Sequence, residues 1–384
     1  MAELKDIIRQ TKAQFCLDCG KCTAVCPVSR FDAKFSPRLI VRKALRHPDK
    51  IYADENIWSC IGCNMCTVRC NYNVSYVDFI RYLRMKSREN GTEPVFSHAG
   101  VPESFMHLMA KKETKQNRLG WIPDDVGIDD SSSTAFFVGC APYFDAIFQD
   151  IGVRATEGSI GALRLLKAAG ISYNVLADER CCGHDLILSG DLNGFLDLGH
   201  ANLEEFAKRG IKKIIVSCPE CYYTLKVDYP RYFNDWNVEV CHITEVPEIS
   251  QVSRHTAADG SVKRKVTYHD SCKLGRYFKM YDGPRNLLNS IAGVELVEME
   301  NNRENAVCCG ASPWMYCGSI NKQVQDERLR QAGSTGAELM VTSCPKCQIH
   351  LTCAQKSHNN AAEEIKIVDM YHLLSKSLAR KEKD

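Results

Sequence analysis

Two short stretches of the sequence each carry four cysteines at the same spacing. They read "CLDCGKCTAVC" and "CIGCNMCTVRC", with two, two and three residues between successive cysteines. Thiolates are ligands for soft metals and for iron–sulfur clusters. Three thiolates from one tight loop can reach three corners of a cubane, so the fourth ligand has to come from a segment on the far side. The two runs therefore predict two metal centres that exchange their fourth cysteines.

This spacing is that of the bacterial ferredoxins. It assigns the first centre to Cys16, Cys19, Cys22 and Cys70, and the second centre to Cys60, Cys63, Cys66 and Cys26. Four thiolates would also hold zinc. Two complete runs favour two cubane [4Fe-4S] clusters over zinc. Asn71 follows the second run where a proline follows the first, which removes no ligand.

Most of the other cysteines form a set of five that occurs twice. The stretches "SCPECYYTL" and "SCPKCQIHL" are copies of one another, and each is preceded by a Cys-Cys-Gly and by a single cysteine. The first set is Cys140, Cys181, Cys182, Cys218 and Cys221, and the second is Cys272, Cys308, Cys309, Cys344 and Cys347. Corresponding positions differ by 132, 127, 126 and 126 residues, which indicates an internal duplication.

The elements around these cysteines predict an α/β protein with a helical N-terminal module. Short β-rich runs such as "AFFVG" and "KIIVS" alternate with helical stretches, as in βαβ units with parallel strands. Cysteines at the carboxyl ends of such strands converge on one edge of each sheet. We expect an α-helical ferredoxin domain at 1–90, a linker at 91–133, and two repeated domains at 134–258 and 259–384.

The duplicated motif resembles the CCG domain of heterodisulfide reductase and its relatives. A ferredoxin module followed by two such domains is similar to the fused catalytic polypeptide of that family. The resemblance implies that each complete set holds a noncubane [4Fe-4S] cluster, in addition to the two cubane clusters. It also implies that a disulfide, such as the heterodisulfide of coenzymes M and B, is reduced between the two sets, whose ten cysteines would be catalytic.

Two alternatives to disulfide reduction stay open. Many electron-relay subunits of this family have lost cysteines from one copy, whereas both copies are complete here, which favours catalysis over a relay without its own disulfide substrate. A zinc scaffold is the third reading. One departure from the family leaves the identity of the acceptor open, because Ser271 and Lys273 flank Cys272 where relatives commonly have proline and histidine.

Composition narrows the partners and the compartment. A net charge of +2 without a long block of one sign argues against nucleic-acid binding. No run of 18 apolar residues and no apolar signal core are found, so we expect a cytoplasmic protein with reduced thiols. Since no flavin, nicotinamide or haem motif is found, a partner must supply electrons. The resemblance implies a flavoprotein subunit or a membrane cytochrome b, the latter holding the chain peripherally at the inner face of the membrane.

Several single residues near the motifs receive weaker interpretations. Three cysteines fall outside the sets and are interpreted as half-buried thiols: Cys241, Cys317 and Cys353. Three residues beside the motifs could donate a proton to a product thiolate, although packing explains them equally well: His184, His269 and Lys273. Three aromatic residues near the cysteine loops are interpreted as packing residues: Tyr222, Tyr223 and Trp314.

Overall fold

The α/β architecture predicted from the sequence is confirmed. The protein is described from a computed structural model that covers residues 3–111, 113–254, 264–310, 313–357 and 365–379. Two parallel sheets follow a helical N-terminal module. Within these residues, no helix is both long and apolar enough to span a bilayer.

The N-terminal module is built from short helices joined by the cysteine-containing loops. Its helices are α1 (Leu4–Gln10), α2 (Lys21–Val25), α3 (Pro27–Phe31), α4 (Pro37–Arg46), α5 (Met65–Val68) and α6 (Tyr76–Glu89). Ser36 and Pro37 lie at the start of α4, and the Ser36 hydroxyl bonds Thr23 Oγ1 at 2.6 Å instead of capping the helix. This bond ties α4 to the first cysteine run.

The first repeat contains a three-stranded parallel sheet of order β1-β2-β3. Its elements are β1 (Thr134–Phe137), α8 (Ala141–Ile147), α9 (Ala155–Ala168), α10 (His184–Leu188), α11 (Leu192–Lys208), β2 (Lys213–Val216), α12 (Pro219–Tyr223), α13 (Tyr229–Tyr232), β3 (Glu239–His242) and α14 (Pro247–Arg254). The stretch "SYNVLA", between α9 and α10, contributes one parallel bridge, between Ala135 and Asn174. Tyr173 is fully buried there, and its hydroxyl bonds two backbone carbonyls.

The second repeat follows the same plan with a complete fourth strand, in the order β5-β4-β6-β7. Its elements are β4 (Arg264–His269), α15 (Cys272–Phe278), α16 (Asp282–Asn289), β5 (Val294–Leu296), α17 (Ser319–Gly333), β6 (Leu339–Thr342), α18 (Pro345–Ser357), β7 (Lys366–Asp369) and α19 (Met370–Ala379). All strand pairs in both sheets are parallel, so each sheet has one carboxyl edge.

The two repeats pack through helices at close approach. Helix α9 of the first repeat lies against α19 of the second, while α14 lies against α16. The contact depends on two glycines of α9, because a Cβ at Gly158 would lie 2.5 Å from the Asp369 carboxyl carbon and one at Gly161 would lie 2.4 Å from the Tyr371 carbonyl oxygen. The stretch "GSIGAL" therefore serves helix packing.

The segment predicted as a linker is ordered structure that contacts both repeats. It contains helix α7 (Val101–Ala110), which packs on α11, and a backbone bridge between Phe96 and Met315. Arg118 is almost completely buried. Polar composition alone did not indicate this packing.

Candidate metal centres and their surroundings

The second cubane site predicted from the sequence is a lined cavity. Cys26, Cys60, Cys63 and Cys66 are buried and together line a small space with apolar walls. Cys26 belongs to the other cysteine run, and it precedes α3 as its N-terminal flanking residue. The structure therefore places Cys26 beside the second run, as the crosswise assignment requires. A four-thiol cavity of this kind suits an iron–sulfur cluster.

The residues of the first cubane site lie nearer the surface. Cys19 is exposed, whereas Cys16, Cys22 and Cys70 are half-buried. Burial, reinforced by the neighbouring Cys16 thiol, raises the pKa of Cys22. The chain after Cys70 is held beside the first run, since Lys21 donates to Asn71 Oδ1 at 3.1 Å.

The first five-cysteine set forms one connected group of thiols. Cys140 and Cys181 lie with their sulfurs 2.8 Å apart. Cys182 hydrogen-bonds Cys181 and Cys221, and Cys221 hydrogen-bonds Cys218. Cys140 follows β1 and Cys218 follows β2, so both lie at the carboxyl edge of the sheet. The predicted convergence of this set is observed.

The second set repeats the same order of contacts. Cys308 hydrogen-bonds Cys272 and Cys309, and Cys347 hydrogen-bonds Cys309 and Cys344. Cys272 lies just after β4, and Cys344 lies just after β6. Each half of the protein therefore gathers five thiols at one sheet edge, as the duplication predicted.

Two further contacts join these groups into a continuous line. The Cys63 thiol of the cubane cavity hydrogen-bonds Cys308, which lowers the pKa of Cys63 to about 6. Across the repeats, hydrogen bonds with Cys221 and Cys344 lower the pKa of Cys218 to about 5. A lowered thiol pKa favours the thiolate, which is the metal-binding form. The line runs from the cubane cavity to the second set and then to the first.

Helix α15 fixes the cubane loop against the second repeat. Arg276 donates from Nε to the Cys63 carbonyl at 2.6 Å and from a terminal nitrogen to the Ala306 carbonyl at 2.7 Å. The neighbouring Tyr277 hydroxyl donates to the Gly62 carbonyl at 2.9 Å. These bonds satisfy loop carbonyls that would otherwise be buried without partners.

A buried group of charges joins the two Cys-Pro-x-Cys motifs. The Lys346 ammonium lies 2.8 Å from a Glu220 carboxylate oxygen and also contacts Asp185. His184 Nδ1 lies 3.1 Å from the Asp185 carboxylate, so this nitrogen donates. Burial lowers the pKa of His184 to about 3, and Nε2 has no hydrogen-bond partner among the described residues. His184 is therefore a neutral imidazole that donates from Nδ1 and leaves Nε2 as a buried acceptor, and its predicted role as a proton donor stays a prediction.

His269 has a fixed tautomer and bonds a cysteine of the second set. Arg328 donates from Nε to His269 Nδ1 at 3.0 Å, so the imidazole proton is on Nε2. The imidazole also hydrogen-bonds the Cys309 thiol, and it therefore donates to that sulfur. The ring orients Cys309 through this bond.

Lys273 is buried beside Cys272, between two aromatic rings. Its ammonium lies 4.0 Å from the ring centroids of both Tyr223 and Tyr277. Burial lowers the pKa of Lys273. The two rings offer cation–π stabilisation in place of water. Tyr223 thus packs as predicted, against a cation.

The other residues that the sequence analysis singled out are not part of the line of thiols. Trp314 is buried and stacks on Phe148 at a centroid distance of 5.0 Å. Tyr222 is buried and contacts Phe278 at 4.5 Å. The three cysteines outside the sets are all half-buried: Cys241, Cys317 and Cys353.

Sequence reasoning missed the buried charges that position these loops. Glu179 accepts from the backbone of Val138 and Gly139, while Arg118 donates to Glu179 and to the Gly139 carbonyl. Burial raises the pKa of Glu179 to about 7. The sequence did contain one indication of buried charge, because residue x of the Cys-Pro-x-Cys motif is an acid in one copy and a base in the other. No sequence pattern pointed to Arg118.

Comparisons with known proteins agree with this organisation. The profile of the 4Fe-4S dicluster domain matches residues 12–74, and that of the cysteine-rich CCG domain matches residues 134–226 and 266–352. The dihydromethanophenazine:CoB–CoM heterodisulfide reductase of Methanosarcina barkeri has a polypeptide that is 26% identical, over 94% of this chain and 93% of its own length.

Two other relatives bear different functional names. An EtfAB:quinone oxidoreductase from Syntrophomonas wolfei is 30% identical over 85% of this chain and 47% of its own length. The fumarate reductase (CoM/CoB) of Methanothermobacter marburgensis has a polypeptide that is 27% identical over 94% of this chain and 72% of its own length. Sequences similar to this chain therefore occur in proteins whose names give different oxidoreductase activities.

Proposed function

We propose that this chain reduces a disulfide to two thiols. The premise is that it belongs to the heterodisulfide reductase family, as a fused polypeptide with one dicluster ferredoxin domain and two CCG domains. The family is one of iron–sulfur oxidoreductases. The substrate class proposed is a heterodisulfide like that of coenzymes M and B. Each turnover takes up two electrons and two protons and breaks one S–S bond.

The observation that supports this proposal is the contact between two complete cysteine sets. Cys218 of the first set hydrogen-bonds Cys344 of the second, so the two sets adjoin at the centre of the duplicated fold. Reductive cleavage of a disulfide yields two thiolates, and two adjoining sites suit the two sulfur atoms. A single set would leave one sulfur without a partner site.

The proposed ligands are the cysteines already described. Two cubane [4Fe-4S] clusters would be held by Cys16, Cys19, Cys22 and Cys70, and by Cys60, Cys63, Cys66 and Cys26. Two noncubane [4Fe-4S] clusters would be held by the two five-cysteine sets. When bound, these clusters supply one-electron carriers. The chain itself places Cys26, Cys60, Cys63 and Cys66 around one buried apolar space and orients the Cys63 loop through Arg276.

Electrons would come from a partner protein. An electron-donating flavoprotein or a membrane cytochrome b is the proposed partner. Cys19, in the proposed first cubane site, is exposed, so a partner could approach the chain closely there.

Anaerobic turnover with an artificial reductant tests the proposal. The purified chain with its full iron and sulfide, supplied with reduced viologen, is expected to oxidise the dye in proportion to the disulfide added. A Cys308→Ser variant is expected to lose this activity, while Cys353→Ser outside the sets keeps it. No turnover by fully loaded protein would contradict the proposal.

A relay without its own disulfide substrate is the second candidate. The resemblance to the quinone oxidoreductase favours this function. A relay would carry electrons to an added carrier protein or quinone with loaded centres, yet would leave disulfides unreduced in the same assay.

A further inference from the structure

We propose that the two five-cysteine sets, when they carry clusters, differ in reduction potential. The second set, which contains Cys272 and Cys347, has the higher potential. The inference rests on the proposed function, because both sets must carry clusters. It goes beyond that function because it gives the two duplicated sites different reduction potentials. The reason is an unequal distribution of buried charge around them.

Three buried cations lie against the second set. Lys273 follows Cys272 directly and interacts electrostatically with it. Arg276 acts in the same way on Cys272 and Cys308. Arg328 interacts with Cys347 and is fully buried. None of the three is paired with a carboxylate in an ion pair among the described residues.

The first set is surrounded by carboxylates. Glu179 lies near Cys182, Asp185 near Cys140, and Glu220 near Cys218. Arg118 bonds Glu179 at 2.9 Å, and Lys346 bonds both Asp185 and Glu220. Arg180, which precedes Cys181, is a third buried cation. The acids and the cations beside the first set are therefore equal in number.

The acids near the second set do not cancel its cations. Asp270 is bound by Arg285 through two bonds of 2.7 and 2.9 Å. Asp369 accepts from the backbone of Tyr371 and His372 at the start of α19. Arg285 also bonds Glu298, at 2.6 and 3.0 Å, and Asp270 interacts electrostatically with Arg328 as well. Asp270 and Glu298 therefore face Arg285 in addition to the three cations already described, and burial raises the pKa of Asp369 to about 7.

Hydrogen bonding to sulfur adds to the difference. His269 donates to Cys309 of the second set. Phe137 occupies the corresponding place at the end of β1 in the first repeat and has no donor, so the first set has a backbone bond instead, from Gly183 N–H to Cys181 Sγ at 3.4 Å. A hydrogen bond to a ligand sulfur stabilises the added negative charge of a reduced cluster.

Buried charges act strongly because the surrounding dielectric constant is low. Adding an electron makes a site more negative, so nearby cations raise its reduction potential and nearby carboxylates lower it. The second set is also the one in contact with Cys63 of the cubane cavity. An electron from the donor protein would therefore rest at the second set before the first set is reduced.

A potentiometric titration of the holoprotein, followed by EPR and without added disulfide, tests the inference. Two separate midpoint potentials are expected for the CCG sites. Lys273→Met is expected to lower the higher midpoint more than the lower one. Glu220→Gln is expected to raise the lower midpoint more than the higher one. Lys208→Met, whose side chain is 63% exposed, is the matched control and is expected to shift neither.

The outcomes separate this inference from the proposed function. Equal midpoints for the two sites, or a Lys273→Met variant that lowers chiefly the lower midpoint, would overturn the inference while disulfide turnover could persist. Loaded protein with two unequal midpoints but no disulfide turnover would leave the inference standing and remove the proposed function. If Lys273→Met fails to fold, Glu220→Gln alone still decides, because a larger rise of the higher midpoint contradicts the proposal.

Discussion

Glu220 and Lys346 are the variable residues of the two Cys-Pro-x-Cys motifs, and their side chains meet at 2.8 Å in the interior. Their side chains are 12% and 2% exposed, so both charges are buried. The two copies of the motif therefore differ at a position where they contact each other. Duplicated loops of like charge would repel here, whereas an acid and a base hold the two cysteine sets together.

Replacement of Lys346 tests how strongly this pair joins the repeats. Lys346→Met leaves Glu220 and Asp185 buried close together without a counter-charge. Breaking a buried pair in this way costs roughly 3–5 kcal/mol. We expect a clearly lower melting temperature by circular dichroism under anaerobic conditions.

The double variant Lys346→Met/Glu220→Gln removes one of the two carboxylates and is expected to recover part of the loss. Lys208→Met, on an exposed side chain of α11, is expected to melt like the wild type. A single variant as stable as the wild type would show that the carboxylates become neutral at little cost.

The cysteine pattern predicted the architecture well because ligand spacing and strand ends are local features. Each set converges as expected, and Cys26 lies with the ligands of the other run. Gly170 follows α9 with a φ of +71°, and a glycine at such a place is a common sequence signal for the end of a helix. Such positions depend on neighbouring residues in the chain.

What the sequence did not reveal depends on contacts between distant segments. Arg118 lies in a polar stretch that looked like a linker, yet its guanidinium holds the carbonyl before Cys140. One of the charges beside the second set, Arg328 on α17, is separated in the chain from the cysteines that it neighbours. Burial turns these ordinary surface residue types into determinants of the sites, and no periodicity indicates it.

Exchange of the fourth cysteine between the cubane sites makes a specific prediction. Cys26→Ser is expected to abolish the same EPR signal as Cys60→Ser, although the two residues belong to different runs. The iron content of either variant should fall by about four atoms per chain, the content of one cubane. Iron analysis and EPR of the reduced protein measure both effects.

Cys70→Ser is the matched variant for the other centre, and it should remove the signal that Cys16→Ser removes. If the single variants Cys16→Ser and Cys26→Ser both lost the same EPR signal, each run would supply all four ligands of its own cluster. The crosswise assignment would then be wrong.

Helix packing between the repeats depends on Gly161. An added Cβ would lie 2.4 Å from the Tyr371 carbonyl oxygen, which is backbone and cannot turn away. Gly161→Ala should therefore force α9 and α19 apart, at a cost of about 3 kcal/mol. Thermal melting is expected to show the loss. Gly318→Ala, where nothing lies within 4 Å of an added Cβ, should change stability by less than about 1 kcal/mol.

His107 provides a pH test of the packing between α7 and α11. Its Nε2 lies 2.8 Å from Asp191 and 3.9 Å from Glu103, and hydrogen bonds to these acids raise the pKa of His107 from 6.5 to about 9. Because the pKa is higher in the folded state, the stabilisation is complete below about pH 6.5 and is lost as the pH rises through about 9. The imidazole is 44% exposed, so solvent screening limits the effect to roughly 1 kcal/mol. The melting temperature of His107→Gln should therefore fall below that of the wild type at pH 6 and approach it at pH 10. A difference that is the same at both pH values, or larger at pH 10, would show that the charge of His107 does not stabilise this contact.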